Sequence, residues 1–335
     1  IDGFRFDLMG LHDIETMHII RKELDAIDPS ILMYGEGWTG GGTPLKSDQA
    51  AIKQNIIKFE KSQIAAFSDD TRDGVKGHVF NINERGYING REGLEDTIKF
   101  CIVGATGQLG INYDRVIYSH WSWANEPYQC INYISAHDNY TLWDKLTMSN
   151  REDSIEKRKS MNKLAAAIVL TSQGIPFFQA GEEFLRSKKN DDGSFNHDSY
   201  NAPDKVNGLD WNRAYDYRDI VEYYRGLIKL RKKYRAFRMN SSEEIRKNLS
   251  FLNKGESFYK DNVVAYKIED NSGRNLCNTI VVIFNPNDEE TFIDLKECGW
   301  SVLVNKEKAG VEEIYSIEGN NITVPSKCAH VLIKK

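Results

Sequence analysis

Gly3-Phe4-Arg5-Phe6-Asp7-Leu8-Met9-Gly10-Leu11-His12-Asp13 begins as a strand and ends as a helix cap. The apolar run 1–6 stops on an acid, Asp7. Asp13 can then accept a first-turn amide of a helix running to about Ala26, which Asp28-Pro29 stops. The same order recurs downstream. Strand-like runs at 31–35, 131–136 and 175–180, with a weaker one at 64–67, alternate with helix-length amphipathic segments, the longest at 156–171 and 219–234. Strand followed by helix followed by strand is the pattern of β-α units laid on a parallel sheet. Up to about residue 239 the sequence therefore predicts an α/β domain.

Beyond Met239 the texture changes to β-branched and aromatic runs, as in Val263-Val264-Ala265-Tyr266, 279–284, 300–304 and Ile322-Thr323-Val324. Turn residues separate them: Asn271-Ser272-Gly273, Asn285-Pro286-Asn287-Asp288 and Glu318-Gly319-Asn320-Asn321. This predicts two domains, an α/β domain at 1–239 and an all-β sandwich at 240–335. The 335 residues carry 44 Lys+Arg against 49 Asp+Glu, a net charge of −5, which argues against an electrostatic nucleic-acid partner. The basic cluster Arg231-Lys232-Lys233 is expected on a solvated helix face. Charged residues at 28% and aromatics at 11% fit a folded, soluble chain, and no apolar stretch approaches the ~18 residues of a membrane helix. The cysteines are scattered and form no C-x-x-C pair, so they are expected to be buried thiols rather than a metal site or a disulfide framework. The chain starts at Ile1, and Asp2, Arg5 and Asp7 interrupt any leader pattern; it is expected to be a piece of a longer protein, and both a cytoplasmic and a secreted location stay open.

In a β-α barrel the site is assembled at the carboxyl ends of the strands, so the acids that close the apolar runs are the informative residues. Asp7, Glu36 and Asp138 occupy such positions. Carboxylates converging on one mouth shift each other's ionisation, and an acid beside an ionised carboxylate is what glycosidic cleavage needs. Arg5, two residues before Asp7, shares its strand face and supplies a fixed cation. His137 and Asn139 flank Asp138 with hydrogen-bond donors suited to sugar hydroxyls, and Trp38 offers a flat apolar face. Each acid taken alone is equally readable as a helix cap, and Trp38 as a core aromatic. Gly40-Gly41-Gly42 lacks a Gly-Lys-Ser/Thr ending and reads as a loop; Asn190-Asp191-Asp192-Gly193 lacks calcium-ligand spacing and reads as a surface turn. Glu182 and Glu183 are expected in structural hydrogen bonds.

The stretches Gly3 to Asp13, Tyr34-Gly35-Glu36-Gly37-Trp38 and Ser135-Ala136-His137-Asp138-Asn139 resemble the second, third and fourth motif regions of the α-amylase superfamily, glycoside hydrolase family 13. The Leu-Met-Gly-x-His-Asp continuation is most similar to the type I pullulanases, α-1,6 debranching enzymes. Arg72-Asp73-Gly74-Val75-Lys76-Gly77, Ala180-Gly181-Glu182-Glu183-Phe184, Ser199-Tyr200-Asn201-Ala202-Pro203-Asp204 and Tyr224-Arg225-Gly226-Leu227-Ile228-Lys229-Leu230-Arg231 extend the likeness. The resemblance implies a partial (β/α)8 TIM barrel holding strands four to eight, with the first motif and the Tyr-Asn-Trp-Gly-Tyr-Asp-Pro signature absent. It implies Asp7 as nucleophile, Glu36 as general acid/base and Asp138 as transition-state stabiliser of a retaining double displacement, the first two carboxyls about 5–5.5 Å apart. Arg5 and His137 would serve the cleaved sugar, and Trp38, Tyr200 and Asp204 neighbouring glucose rings. The implied partner is an α-glucan, with no nucleic acid and no membrane. Carboxylate chemistry calls for no redox or nucleotide cofactor and no catalytic metal; a structural calcium stays open. The alternatives are another α-glucan hydrolase of the superfamily (isoamylase, glycogen-debranching enzyme or α-amylase) and an inert glucan-binding fragment. Half a barrel also exposes unpaired edge strands, so the isolated fragment is expected to be marginally stable or prone to aggregate.

Overall fold

The structure, a computed structural model, describes residues 1–269 and 279–334; the predicted turn Asn271-Ser272-Gly273 lies outside them. Among the described residues, β1 (Gly3–Phe6), β2 (Leu32–Gly35), β3 (Ala65–Phe67), β4 (Cys130–Tyr133) and β5 (Ile175–Phe177) form one parallel sheet in sequence order. These are the apolar runs predicted as strands, each somewhat shorter. β4 stops at Tyr133 rather than residue 136 because the following segment turns away, and the Ser135 hydroxyl donates to Glu182 Oε2 at 2.6 Å.

The connections are helical but uneven. α1 (Ile14–Ile27) is capped as expected by Asp13, whose carboxylate accepts from Thr16 N at 2.8 Å. The link from β2 to β3 is a 3-10 segment, Lys53–Phe59. α2 (Asp69–Lys76) and α3 (Glu95–Ile102) follow β3, and α4 (Leu142–Ser149) and α5 (Ile155–Thr171) follow β4. After β5 come the short α6 (Asp204–Asn207) and α7 (Asn212–Asp216), the long α8 (Arg218–Lys233) and α9 (Ser242–Asn248).

The last part of the chain is antiparallel. Its six-stranded sheet runs β11-β10-β13-β8-β7-β6, with β6 (Leu249–Phe251), β7 (Val264–Glu269), β8 (Thr279–Asn285), β10 (Trp300–Val304), β11 (Tyr315–Ile317) and β13 (Cys328–Lys334); β9 (Thr291–Asp294) pairs with β12 (Asn321–Val324) in a second sheet. Ile283, Trp300, Val302, Ile293 and Val324 pack between the two sheets, which is the expected sandwich core. The other face of the large sheet merges with the helical layer. Ile168, Leu227 and Leu230 share a continuous core with Tyr266, Val282 and Val331. Tyr266 Oη donates to the Thr171 carbonyl at 2.8 Å and Tyr87 Oη to the Phe284 carbonyl at 3.2 Å, so the seam is tied by buried hydrogen bonds as well as apolar area.

Two expectations are corrected. Arg231 is not on a solvated face: it is buried and donates to the carbonyls of Leu170, Ser172 and Gly174, satisfying backbone acceptors at and beyond the end of α5. Cys298 is exposed, whereas Cys101, Cys130 and Cys328 are buried. Among the described residues, no helix is long and apolar enough to cross a membrane.

Candidate active site

The inner face of the parallel sheet is aromatic. Phe67 stands at the centre, 4.8 Å from the ring of Tyr133, 5.4 Å from Phe177 and 5.6 Å from Tyr34. These rings floor a cavity of about 640 Å³ at the carboxyl ends of the strands. Strand register places the acids around its rim. Arg5 pairs with Tyr34 and Phe6 with Gly35, and Glu36 N donates to the Phe6 carbonyl at 3.0 Å, so Asp7 and Glu36 leave adjacent strands together. Gly35 is required there by close approach: a Cβ would lie 2.7 Å from the Phe6 carbonyl oxygen.

Arg5 bridges the two acids. Its Nη1 donates to Asp7 Oδ1 at 3.0 Å and its Nη2 to Glu36 Oε1 at 2.6 Å. The other oxygen of Glu36 accepts from Leu8 N at 3.0 Å, which the left-handed turn at Leu8 (φ 41°) aims back at the strand end. Glu36 is buried while Asp7, 74% exposed at its side chain, faces the opening. A fixed cation between two carboxylates offsets the repulsion they would otherwise feel. Asp138 lines the same cavity and is paired with His137, Nε2 to Oδ1 at 3.3 Å.

Of the residues singled out from the sequence, Arg5, Asp7, Glu36, Trp38, His137, Asp138 and Asn139 line this cavity; Tyr200, 76% exposed, and Asp204, in the first turn of α6, do not. Trp38 is half-buried, with one part against the aromatic floor and another open to the cavity. Gly41 and Gly42 have open space around them, and Asp192 caps its own turn by accepting from Ser194, which agrees with the loop and turn readings. Glu182 is buried beneath the cavity, accepting from Ser135 and, at 3.1 Å, from Tyr224; burial pushes its carboxyl up to about 7.

One wall was missed from the sequence. Asp69, Arg72 and Lys76 of α2 also line the cavity. Arg72 forks onto Asp73 (2.7 and 3.0 Å) and donates to Tyr133 Oη at 3.1 Å, while Asp69 is ion-paired with Lys53. A signal was available: Asp69 stands one residue beyond the weak strand 64–67, separated from it only by Ser68.

The all-β part matches the family model described as "Pullulanase, all-beta domain" over residues 245–308. The chain is similar to the pullulanase of Bacillus subtilis (strain 168), 34% identical over 283 residues, covering 84% of this chain and 36% of that protein. Among solved structures, the pullulanase from Bacillus acidopullulyticus superposes over 100% of this chain and 38% of its own, with a TM-score of 0.87 and 36% identity. The Paenibacillus barengoltzii pullulanase in complex with maltohexaose and α-cyclodextrin does so with a TM-score of 0.85 and 40% identity, covering 100% of this chain and 48% of that one. The chain thus spans between about a third and a half of the length of these three relatives. With its half-barrel sheet, its all-β partner and these relatives, the chain belongs to the pullulanase family.

Proposed function

We propose that this chain carries the catalytic acids of a retaining glycoside hydrolase of the α-amylase superfamily that cleaves α-1,6-glucosidic bonds in pullulan, amylopectin and limit dextrins. The observation that carries the reading is the Arg5 bridge: adjacent strand-end carboxylates on one guanidinium, with a third carboxylate across the same cavity. Asp7, open to the cavity, is positioned to attack the anomeric carbon, and Glu36 protonates the leaving oxygen and later activates water. Asp138 stabilises the oxocarbenium-like transition state, while Arg5, His137 and Asn139 hold the hydroxyls of that sugar. Trp38 stacks on a neighbouring ring. Tyr200 and Asp204 would meet only glucose units that extend beyond the cavity. Binding of maltohexaose by the Paenibacillus relative supports a glucan as occupant. In this reading β1–β5 are strands four to eight of an eight-stranded barrel, residues 1–239 belong to it, and residues 240–335 are the attached sandwich domain.

The test is product analysis in the full-length protein that contains these residues. Pullulan is expected to yield maltotriose, and Glu36→Gln to lower turnover by about 10²–10⁴-fold with glucan binding intact. Cleavage of unbranched amylose would favour an α-amylase-type activity instead, and undiminished turnover in Glu36→Gln would remove Glu36 from its role.

A further inference from the structure

Buried ammonium groups are costly, and each one in a folded protein needs a set of acceptors that repays its lost hydration. Lys188 is 1% exposed and belongs to the segment that follows β5. Its Nζ donates to the carbonyl of His137 at 2.8 Å and to Ser199 Oγ at 2.8 Å. The same residue's backbone N–H donates to Asp144 Oδ2 at 2.8 Å, and the Ser187 hydroxyl bonds the other oxygen of Asp144. Asp144 lies in the first turn of α4, so residues 187–188 grip the loop between β4 and α4 at both ends. A second buried ammonium, Lys76, approaches the Tyr140 carbonyl at 3.5 Å from α2. That loop is His137-Asp138-Asn139-Tyr140, and it includes Asn139 in a left-handed conformation (φ 61°).

We propose that Lys188 is a positioning residue for Asp138: its ammonium, bonded to the His137 carbonyl, holds the loop so that the Asp138 carboxylate faces the cavity. This rests on the role given to Asp138 above. Burial, with the nearby charge of Arg186, lowers the basicity of Lys188 to about 8, and the charges of Asp144 and Asp138 oppose that drop only in part, so the lysine's link to the loop is the hydrogen bond to the His137 carbonyl. Lys76 supports the far end of the loop from a different element. A hydrogen-bonded lysine here acts on geometry, because a displacement on the order of 1 Å at a reacting group costs about 10²-fold in rate.

The experiment compares Lys188→Met and Lys188→Arg with the parent in the full-length protein, using two readouts. Lys188→Met is expected to lower kcat on pullulan by about ten- to a hundredfold with KM changed less than about threefold, and Lys188→Arg to recover part of kcat, since only an interaction realised at the transition state splits the two constants this way. Deuterium exchange of a peptide covering 136–141 is expected to rise by about tenfold in Lys188→Met, with β7 and β8 unchanged. If Lys188→Met does not fold, Lys188→Gln is read in its place. An active parent with unaltered kcat in the variant overturns the proposal. An inactive parent sinks the hydrolase reading, and the exchange readout then decides the lysine's part: raised exchange upholds the strut, and unchanged exchange overturns it.

Discussion

Gly226→Ala sets helix propensity against packing at the seam between the helices and the β-sandwich. Gly226 sits in the middle of α8, where replacing Gly by Ala in a free helix stabilises by about 1 kcal/mol. Here a Cβ would lie 1.9 Å from the Ala309 carbonyl oxygen, against an ordinary contact of 3.4 Å or more, so the two backbones must separate by about 1.5 Å (3.4 − 1.9). The opposing loop cannot yield freely. Asn305 N donates to the Lys308 carbonyl at 2.9 Å, Gly310 N to the Leu303 carbonyl at 3.1 Å, and Tyr223 Oη to the Asn305 carbonyl at 3.1 Å. The obstructing atom is backbone, so no rotamer change relieves it, and the overpacking cost of about 3 kcal/mol outweighs the propensity gain. The expected net loss is about 1–2 kcal/mol, read as a urea midpoint lowered by roughly 0.5–1 M. Ala309→Gly removes only the Cβ contact at 3.1 Å and should not rescue it. A midpoint that rises in Gly226→Ala, or full rescue by Ala309→Gly, would refute the reasoning.

Further outcomes concern the acids and a buried histidine. Arg5→Met removes both charge-assisted bonds to Asp7 and Glu36, and kcat/KM on pullulan should fall by on the order of 10²-fold, with Arg5→Lys recovering only part; parent-like kcat/KM in Arg5→Met would argue against the bridge. His330 is buried between Cys328 and Tyr315, and burial lowers its imidazole to about 4 from an ordinary 6.5. Between those values the unfolded chain binds the extra proton and the folded one does not, so stability contributed at neutral pH is lost as pH falls from about 6.5 towards 4, by on the order of 3 kcal/mol at the limit. Denaturant midpoints across that window should slope less in His330→Gln; an unchanged slope would show that other groups carry it.

Much of the fold was legible because its signals are local. Apolar runs mark β1–β5 and amphipathic stretches mark α1 and α8, Asp13 announces its helix through a side chain that reaches only to Thr16, and the β-branched runs after Met239 mark the sandwich strands. The rule that acids close barrel strands was enough to gather Asp7, Glu36 and Asp138, since a strand end is a position along the chain. What the sequence could not supply is distance between parts of the chain that are far apart in order. Arg231 looks like a solvated base until the end of α5 and the turn beyond it bring three carbonyls onto it. Tyr200 and Asp204 belong to a motif-like string but lie away from the cavity, whereas Asp69 and Arg72, behind a weak strand, enter it. Lys188, separated from His137 by a whole β-α unit, meets its carbonyl only when β5 pairs with β4. Periodicity and termination are written residue by residue; which charge faces which carboxylate is decided by sheet register and helix packing, and those exist only in the folded chain.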